Sequence, residues 1–168
     1  FVNTNSQDGT SDPFGALMIA TSKQGAIGAW QASSFSNDPA SYATISETSD
    51  PLIMTKIKHK GIYDAISLNR GGKVPTTEPN PFEGDKTNGE VLEKNKNPNY
   101  QTMFATEVEI HCGWTNTWRG SRGCQTLKPG GDDRGTGTSS LWQEFSKTMN
   151  LSKLSNGDFI GYYYLIRL

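Results

Sequence analysis

The sequence predicts a mainly β domain with one helix late in the chain. Three observations carry this expectation. Eighteen glycines and eight prolines, among many Ser, Thr and Asn residues, imply short strands joined by turn-rich loops. The segment MFATEVEIHC (103–112) alternates Phe104, Thr106, Val108 and Ile110 against Met103, Ala105, Glu107, Glu109 and His111, the period of a strand with one apolar and one polar face. Helical spacing is clear at one place, where Leu141, Trp142, Phe145 and Met149 recur. The 168 residues suit a single domain around one core. We assign residues 1–13 to a loose polar arm and 14–168 to the domain.

Along the chain, GALMIAT (15–21) and GAIGAWQ (25–31) form a hairpin across the polar Ser22–Gln24 turn. Residues 32–50, rich in Ser, Asp, Thr and Ala, read as a loop. A strand alternates over 52–58. The next apolar run, Ile62, Ala65, Ile66 and Leu68, fits a strand or a short helix equally. KIKHK (56–60) reads as the solvated side of a strand, with His59 a surface residue. From Asn69 to Tyr100 the chain is polar and carries four prolines, Pro75, Pro79, Pro81 and Pro98; so long a loop in a small domain is expected to lie over a functional cleft. KPGGDDRGTGTSS (128–140) is a glycine-rich loop. Ser140 with Gln143 gives a capping-box pattern, which starts a helix over about 140–150. FIGYYYLIRL (159–168) is apolar on both faces and reads as a central strand.

Net charge is −1 and the basic residues are dispersed, so no stripe tracks a phosphate backbone and nucleic acid is a poor partner. No apolar run approaches a membrane span, and no signal peptide is evident. The chain opens on Phe1, as a processed or trimmed product would. Two cysteines are too few for a disulfide scaffold.

Those two cysteines are nonetheless where the chemistry concentrates. A free thiol, with a pKa of about 8.5, is mostly protonated at neutral pH and needs a partner to act as a nucleophile. His111 ends a strand on its polar face, and Cys124 follows thirteen positions later behind Gly120-Ser121-Arg122-Gly123. An imidazole can take the thiol proton, and a glycine-flanked turn leaves backbone N–H groups free beside the sulfur. Trp114 and Trp118 flank the intervening loop and line a groove or belong to the core. Arg119 and Arg122 either bind a peptide carboxylate or are exposed charges.

The stretch HCGWTNTWRGSRGC (111–124) resembles the active site of the L,D-transpeptidases, which carry a histidine at a strand end and then, after a glycine-containing loop, Ser/Thr-His-Gly-Cys. His111 matches the base and Ser121-Arg122-Gly123-Cys124 the signature. GGKVPTTEPNPF (71–82) is similar to the family's Thr-Pro-Thr-Gly segment. The Gly123–Thr126 continuation, with the Trp142–Phe145 pair behind it, is similar to a divergent phage and bacterial branch. The likeness spans roughly 71–168 and is sharpest at 110–126. It implies a sandwich-like fold and acyl transfer on peptidoglycan stem peptides, by transpeptidation or carboxypeptidase hydrolysis. Cys124 would then be the nucleophile and His111 the base. Backbone N–H groups of Gly123 and Cys124 would form the oxyanion hole within the Ser121–Cys124 turn. Trp114, Trp118, Arg119 and Arg122 would contact substrate, with no metal or cofactor. It also implies an extracytoplasmic or phage-associated location.

The sequence departs from the family pattern at Arg122 in place of the signature histidine, Thr126 where an arginine usually follows, Cys112 in place of a small residue, and a shorter loop. These departures also fit a second reading, a non-catalytic wall-binding or structural module with the same fold. A Cys112–Cys124 disulfide would abolish the chemistry, but strand alternation turns Cys112 away from the face of His111 and into the core. Zinc ligation by His59, His111, Cys112 and Cys124 meets the same objection. Papain-like peptidases place Cys before His, the opposite order.

Overall fold

The hairpin expected at 15–31 is a long feature of the domain. In the computed structural model, which describes residues 2–3, 13–33, 45–70, 72–76, 104–121 and 124–167, strands β2 (Ala16–Ser22) and β3 (Gly25–Ser33) pair antiparallel through a Lys23–Gln24 turn. A register shift after Ala20 coils the ribbon. The strand β1 (Val2–Asn3) adds to β2, so part of the expected N-terminal arm belongs to the sheet. Backbone pairing over two residues needs no apolar pattern, which is why composition did not show it.

Strand β4 (Leu52–His59) pairs antiparallel with β5 (Tyr63–Leu68), which settles the ambiguous run 62–68 as a strand. The single strand expected over 103–112 is two strands: β7 (Phe104–Ala105) and β8 (Glu109–Cys112). Glu107 between them takes a left-handed backbone, φ 54°, which no continuous strand allows. β7 pairs with β6 (Val74–Pro75) in a small separate sheet. Of the expected loop 69–100, Gly71 and residues 77–100 lie outside the described residues, as does its place over a cleft.

Nine strands make one curled sheet in the order β10-β4-β5-β8-β9-β3-β2-β1-β11, completed by β9 (Gln125–Leu127), β10 (Phe159–Tyr163) and β11 (Ile166–Arg167). The last segment is therefore not one central strand. Among the described residues β10 pairs only with β4, and Phe159 and Tyr162 are exposed, whereas β11 crosses to the opposite edge. Apolar residues on both faces here reflect an edge carrying aromatics. The mainly β expectation with one helix otherwise holds.

That helix, α1 (Ser140–Thr148), matches the expected 140–150 closely. Its buried Phe145 stands edge-on to Trp30 of β3 at 5.0 Å, and its buried Trp142 meets Tyr63 at 5.6 Å. The core spreads from there over Ile66, Leu68, Ile110 and Leu127, all essentially inaccessible. At nine residues, α1 is too short to cross a membrane, and no other described helix is long and apolar enough.

The helix start is not a capping box. Ser139 is the N-cap and makes no side-chain cap bond, while Gln143 donates to the Gly137 carbonyl. The buried Asp133 organises the loop instead. One carboxylate oxygen accepts from the N–H of Gly135 (3.1 Å) and Gly137 (2.7 Å), and the other from that of Ser139 (2.8 Å). The Asp133 N–H in turn donates to the Trp114 carbonyl at 2.7 Å. Burial pushes the Asp133 carboxyl upward, but the amide hydrogen bonds from Gly137 and Ser139 outweigh it and hold it below the usual range. Gly137 has φ 69° and lies so close to Tyr63 that a Cβ would come within 2.3 Å of the ring. That position admits only glycine.

Asp133→Ala strands three amide donors, and we expect it to cost on the order of 2–3 kcal/mol in urea unfolding at neutral pH. The depressed carboxyl fixes the sign of the pH effect. The stabilisation is present above the unfolded-state value of about 3.9 and is lost as pH falls through the folded value. A variant with the wild-type midpoint would show that the loop is held by other contacts.

Candidate active site

β8 and β9 are the parallel pair of the site. Ile110 aligns with Gln125, His111 with Thr126 and Cys112 with Leu127. Neighbours in a parallel pair point to the same side, and alternation then sorts the segment. Glu109, His111 and Thr126 share one face, with Cys124, just ahead of β9, joining them opposite Glu109. Ile110, Cys112, Gln125 and Leu127 take the other. His111 and Cys124 are diagonal neighbours, roughly 8 Å apart between Cα atoms by sheet geometry.

The two thiols separate as the alternation required. Both are free; Cys112 is wholly buried on the helix side, its sulfur 3.2 Å from Ser139 Oγ, and Cys124 is partly exposed. Burial drives the Cys112 thiol far up, leaving it inert.

His111 is nearly inaccessible, and its Nδ1 lies 2.8 Å from the Cys112 carbonyl. A carbonyl only accepts, so Nδ1 carries the proton and Nε2 is left as the basic nitrogen. Burial first, and then the charge of His59, hold the ring down to about 3. The His111 imidazole is therefore neutral across the physiological range.

His59 is not the solvated residue expected from its lysine-rich surroundings. It is 9% exposed, donates from Nδ1 to the Glu109 carboxylate, and stacks on His111 with ring centroids 4.5 Å apart and planes within 20°. The ring of its cross-strand partner Tyr63 is tilted against it, with centroids 5.3 Å apart. Lys56 is also buried, paired with Asp64 at 2.8 Å and with Asn156 at 3.0 Å, whereas Lys58 and Lys60 of the same run are exposed as expected. The only sequence signal for this was that His59 and Tyr63 bracket a tight turn, which fixes them as cross-strand neighbours once the hairpin is drawn.

Cys124 lies beside Glu109. Burial and the Glu109 carboxylate raise its thiol to about 12, against a backbone hydrogen bond from Glu109 and the Lys60 charge, which favour the thiolate. Among the described residues no hydrogen bond joins its sulfur to the His111 ring. The pair is a neutral thiol beside a neutral imidazole, not a preformed ion pair. A rapidly reacting thiolate at neutral pH, the expected mark of a working Cys124, is not what this environment favours.

The remaining site residues divide. Ser121 is buried and its hydroxyl donates to the Cys124 carbonyl at 2.9 Å, holding the turn that presents the thiol. Arg122 and Gly123 lie outside the described residues, and with them part of the expected oxyanion hole. Arg119 is committed elsewhere, its Nε donating to the Pro13 carbonyl at 2.9 Å, which ties the chain ahead of β2 to this loop. Trp114 is half-buried and stands edge-on to the exposed Trp118 at 4.6 Å. Gly120, at φ 67°, passes so close that a Cβ would sit 2.0 Å from the Trp114 ring. The Thr126 hydroxyl, buried on the His111 face, has no partner among the described residues. It occupies the position where the resemblance implied an arginine.

Two measurements check this electrostatic picture. Iodoacetamide should modify Cys124 slowly at neutral pH and progressively faster as pH rises toward about 12, while Cys112 stays protected until the fold opens. Equal protection of both thiols, or rapid neutral-pH reaction at Cys124, would contradict it. For His111 the folded value lies below the unfolded one of about 6.5, so only the unfolded state binds the proton between them. Its contribution is complete above the unfolded value and is lost as pH falls toward about 3, with a slope of up to ~1.4 kcal/mol per pH unit. Denaturation curves across that window should be shallower in pH for His111→Gln than for wild type.

No protein-family model matches the chain, and no curated protein or solved structure shows significant similarity to it.

Proposed function

We propose that the protein is a cysteine acyltransferase or peptidase of the L,D-transpeptidase type, acting on peptidoglycan stem peptides. One observation carries the chemistry: His111, with its proton fixed on Nδ1 by a backbone carbonyl, shares a sheet face with Cys124 one strand away. The cell-wall substrate rests on the resemblance of residues 111–124 alone.

In this reaction the Cys124 sulfur attacks a stem-peptide carbonyl carbon as His111 Nε2 takes the thiol proton. The carbonyl electrons move onto oxygen, stabilised by N–H groups of the Ser121–Cys124 turn. The intermediate then collapses to a thioester and expels an amine, which receives the proton from His111. A second amine completes transpeptidation, or water completes hydrolysis, with His111 again as base. Because thiol and imidazole are both neutral at rest, the carbonyl must be seated before the proton moves, which ties activation to substrate binding.

The raised Cys124 thiol supports a second reading, a binding module of the same fold that no longer uses its cysteine. Incubation with muropeptides followed by mass spectrometry separates the two: cross-linked or trimmed products support catalysis, whereas retention without turnover supports the module.

With turnover established, Cys124→Ser should abolish it, and His111→Ala should lower it about a hundredfold to ten-thousandfold. The losses should not add, since each group acts through the other. Cys112→Ala should leave turnover largely intact and reduce stability by ~1 kcal/mol, as for a small buried group. A folded Cys124→Ser variant with wild-type turnover would move the nucleophile elsewhere.

A further inference from the structure

We infer that His59, anchored by Glu109, is a positioning residue for His111, so that the site has a second histidine reached from a different strand. This rests on the catalytic reading of His111 and deepens it. The geometry is specific. A hydrogen bond from Nδ1 to the Glu109 carboxylate fixes the His59 ring on one edge, and the tilted ring of Tyr63 packs against it at 5.3 Å. The free face lies flat on His111, 4.5 Å away at 20°. His111 is thus clamped at its edge by the Cys112 carbonyl and on its face by His59.

The arrangement has an electrical consequence as well as a mechanical one. A charge on His59 disfavours a second charge on the ring stacked against it. His111 is thereby held neutral and able to accept a proton. The charged and titratable groups around the stack are Glu109 and Cys112 on β8, Tyr63 on β5, Lys60 in the turn after β4, Glu107 ahead of β8 and Cys124 ahead of β9. Lys60 acts on His111 in the same direction as His59. Glu109 has a second part, because its carboxylate also opposes ionisation of Cys124. One carboxylate therefore steadies the histidine pair and keeps the thiol protonated until substrate arrives.

The chain contains only two histidines, so both rings can be followed separately by long-range proton–nitrogen NMR on labelled protein. In the wild type, His111 should show the Nδ1–H tautomer, with nitrogen shifts that differ from those in His59→Phe. His59→Phe keeps a flat ring in the stack but removes the charge. It should raise the His111 titration by about one pH unit and move the acid limb of any acyl-transfer pH profile in the same direction. His59→Ala should leave the His111 tautomer poorly defined. Glu109→Gln should speed Cys124 alkylation at a given alkaline pH. A merely structural His59 would alter unfolding midpoints without moving the His111 titration. An unchanged titration in folded His59→Phe, or a wild-type His111 signal blind to His59, would overturn the inference. None of the NMR or alkylation readouts needs peptidoglycan. Failure of the muropeptide assay with these shifts intact would therefore sink the substrate, not the histidine pair.

Discussion

The side-by-side alignment of β8 and β9 is the constraint on which the rest of the site depends. Because the two strands run parallel, the chain cannot return by a tight turn and must cross over through residues 113–124. That connection brings Cys124 back beside Glu109 and on the face of His111. It is held without a helix among its described residues: the Thr115 hydroxyl accepts from the N–H groups of Thr117 and Trp118, and the Trp114 carbonyl receives those of Asp133 and Arg134. The glycine-rich loop ahead of α1 thus braces the crossover from behind, and the same loop supplies the N-cap whose hydroxyl covers Cys112. A slip of one residue in this pairing would send Cys124 to the core side and Gln125 to the site.

Burial sets the chemical character of the cluster. Both partners of a thiol–imidazole pair are most easily charged in water, and here desolvation heads the causes that push them toward neutrality. Several of the cluster's polar groups are fixed by hydrogen bonds: one ring nitrogen on a carbonyl, another on a carboxylate, and the Ser121 hydroxyl on the Cys124 carbonyl. A site of this kind is preorganised in shape more than in charge.

How much of this was legible in the sequence follows from the range of each interaction. Strand alternation identified the paired strands at 15–31 and 52–58, the apolar face of 103–112 and the direction of Cys112, because these depend on neighbours one or two residues apart. Helical spacing found α1 for the same reason. Glu107 broke the strand at 103–112 because a left-handed backbone at a non-glycine residue leaves no compositional trace. His59 was misread as solvated because its burial depends on Glu109 and His111, fifty and fifty-two positions away, and no local pattern reports a contact of that separation. Edge and central strands were exchanged at 159–163 since exposed aromatics imitate a buried run. The capping box failed because a more distant carboxylate, Asp133, supplies what the local pattern suggested.

The acceptor that sets the His111 tautomer belongs to the backbone of Cys112, not to its side chain. In many catalytic cysteine sites the orienting group is an amide or carboxylate side chain that a single codon change deletes. Here the orienting oxygen survives every substitution at position 112, so that side chain is free to drift with the packing around Ser139. A scan of point mutants would accordingly miss this oxygen, because it has no genotype of its own. Only changes that displace the main chain, by altering the length or hydrogen bonding of the crossover at Gly113, would reveal it.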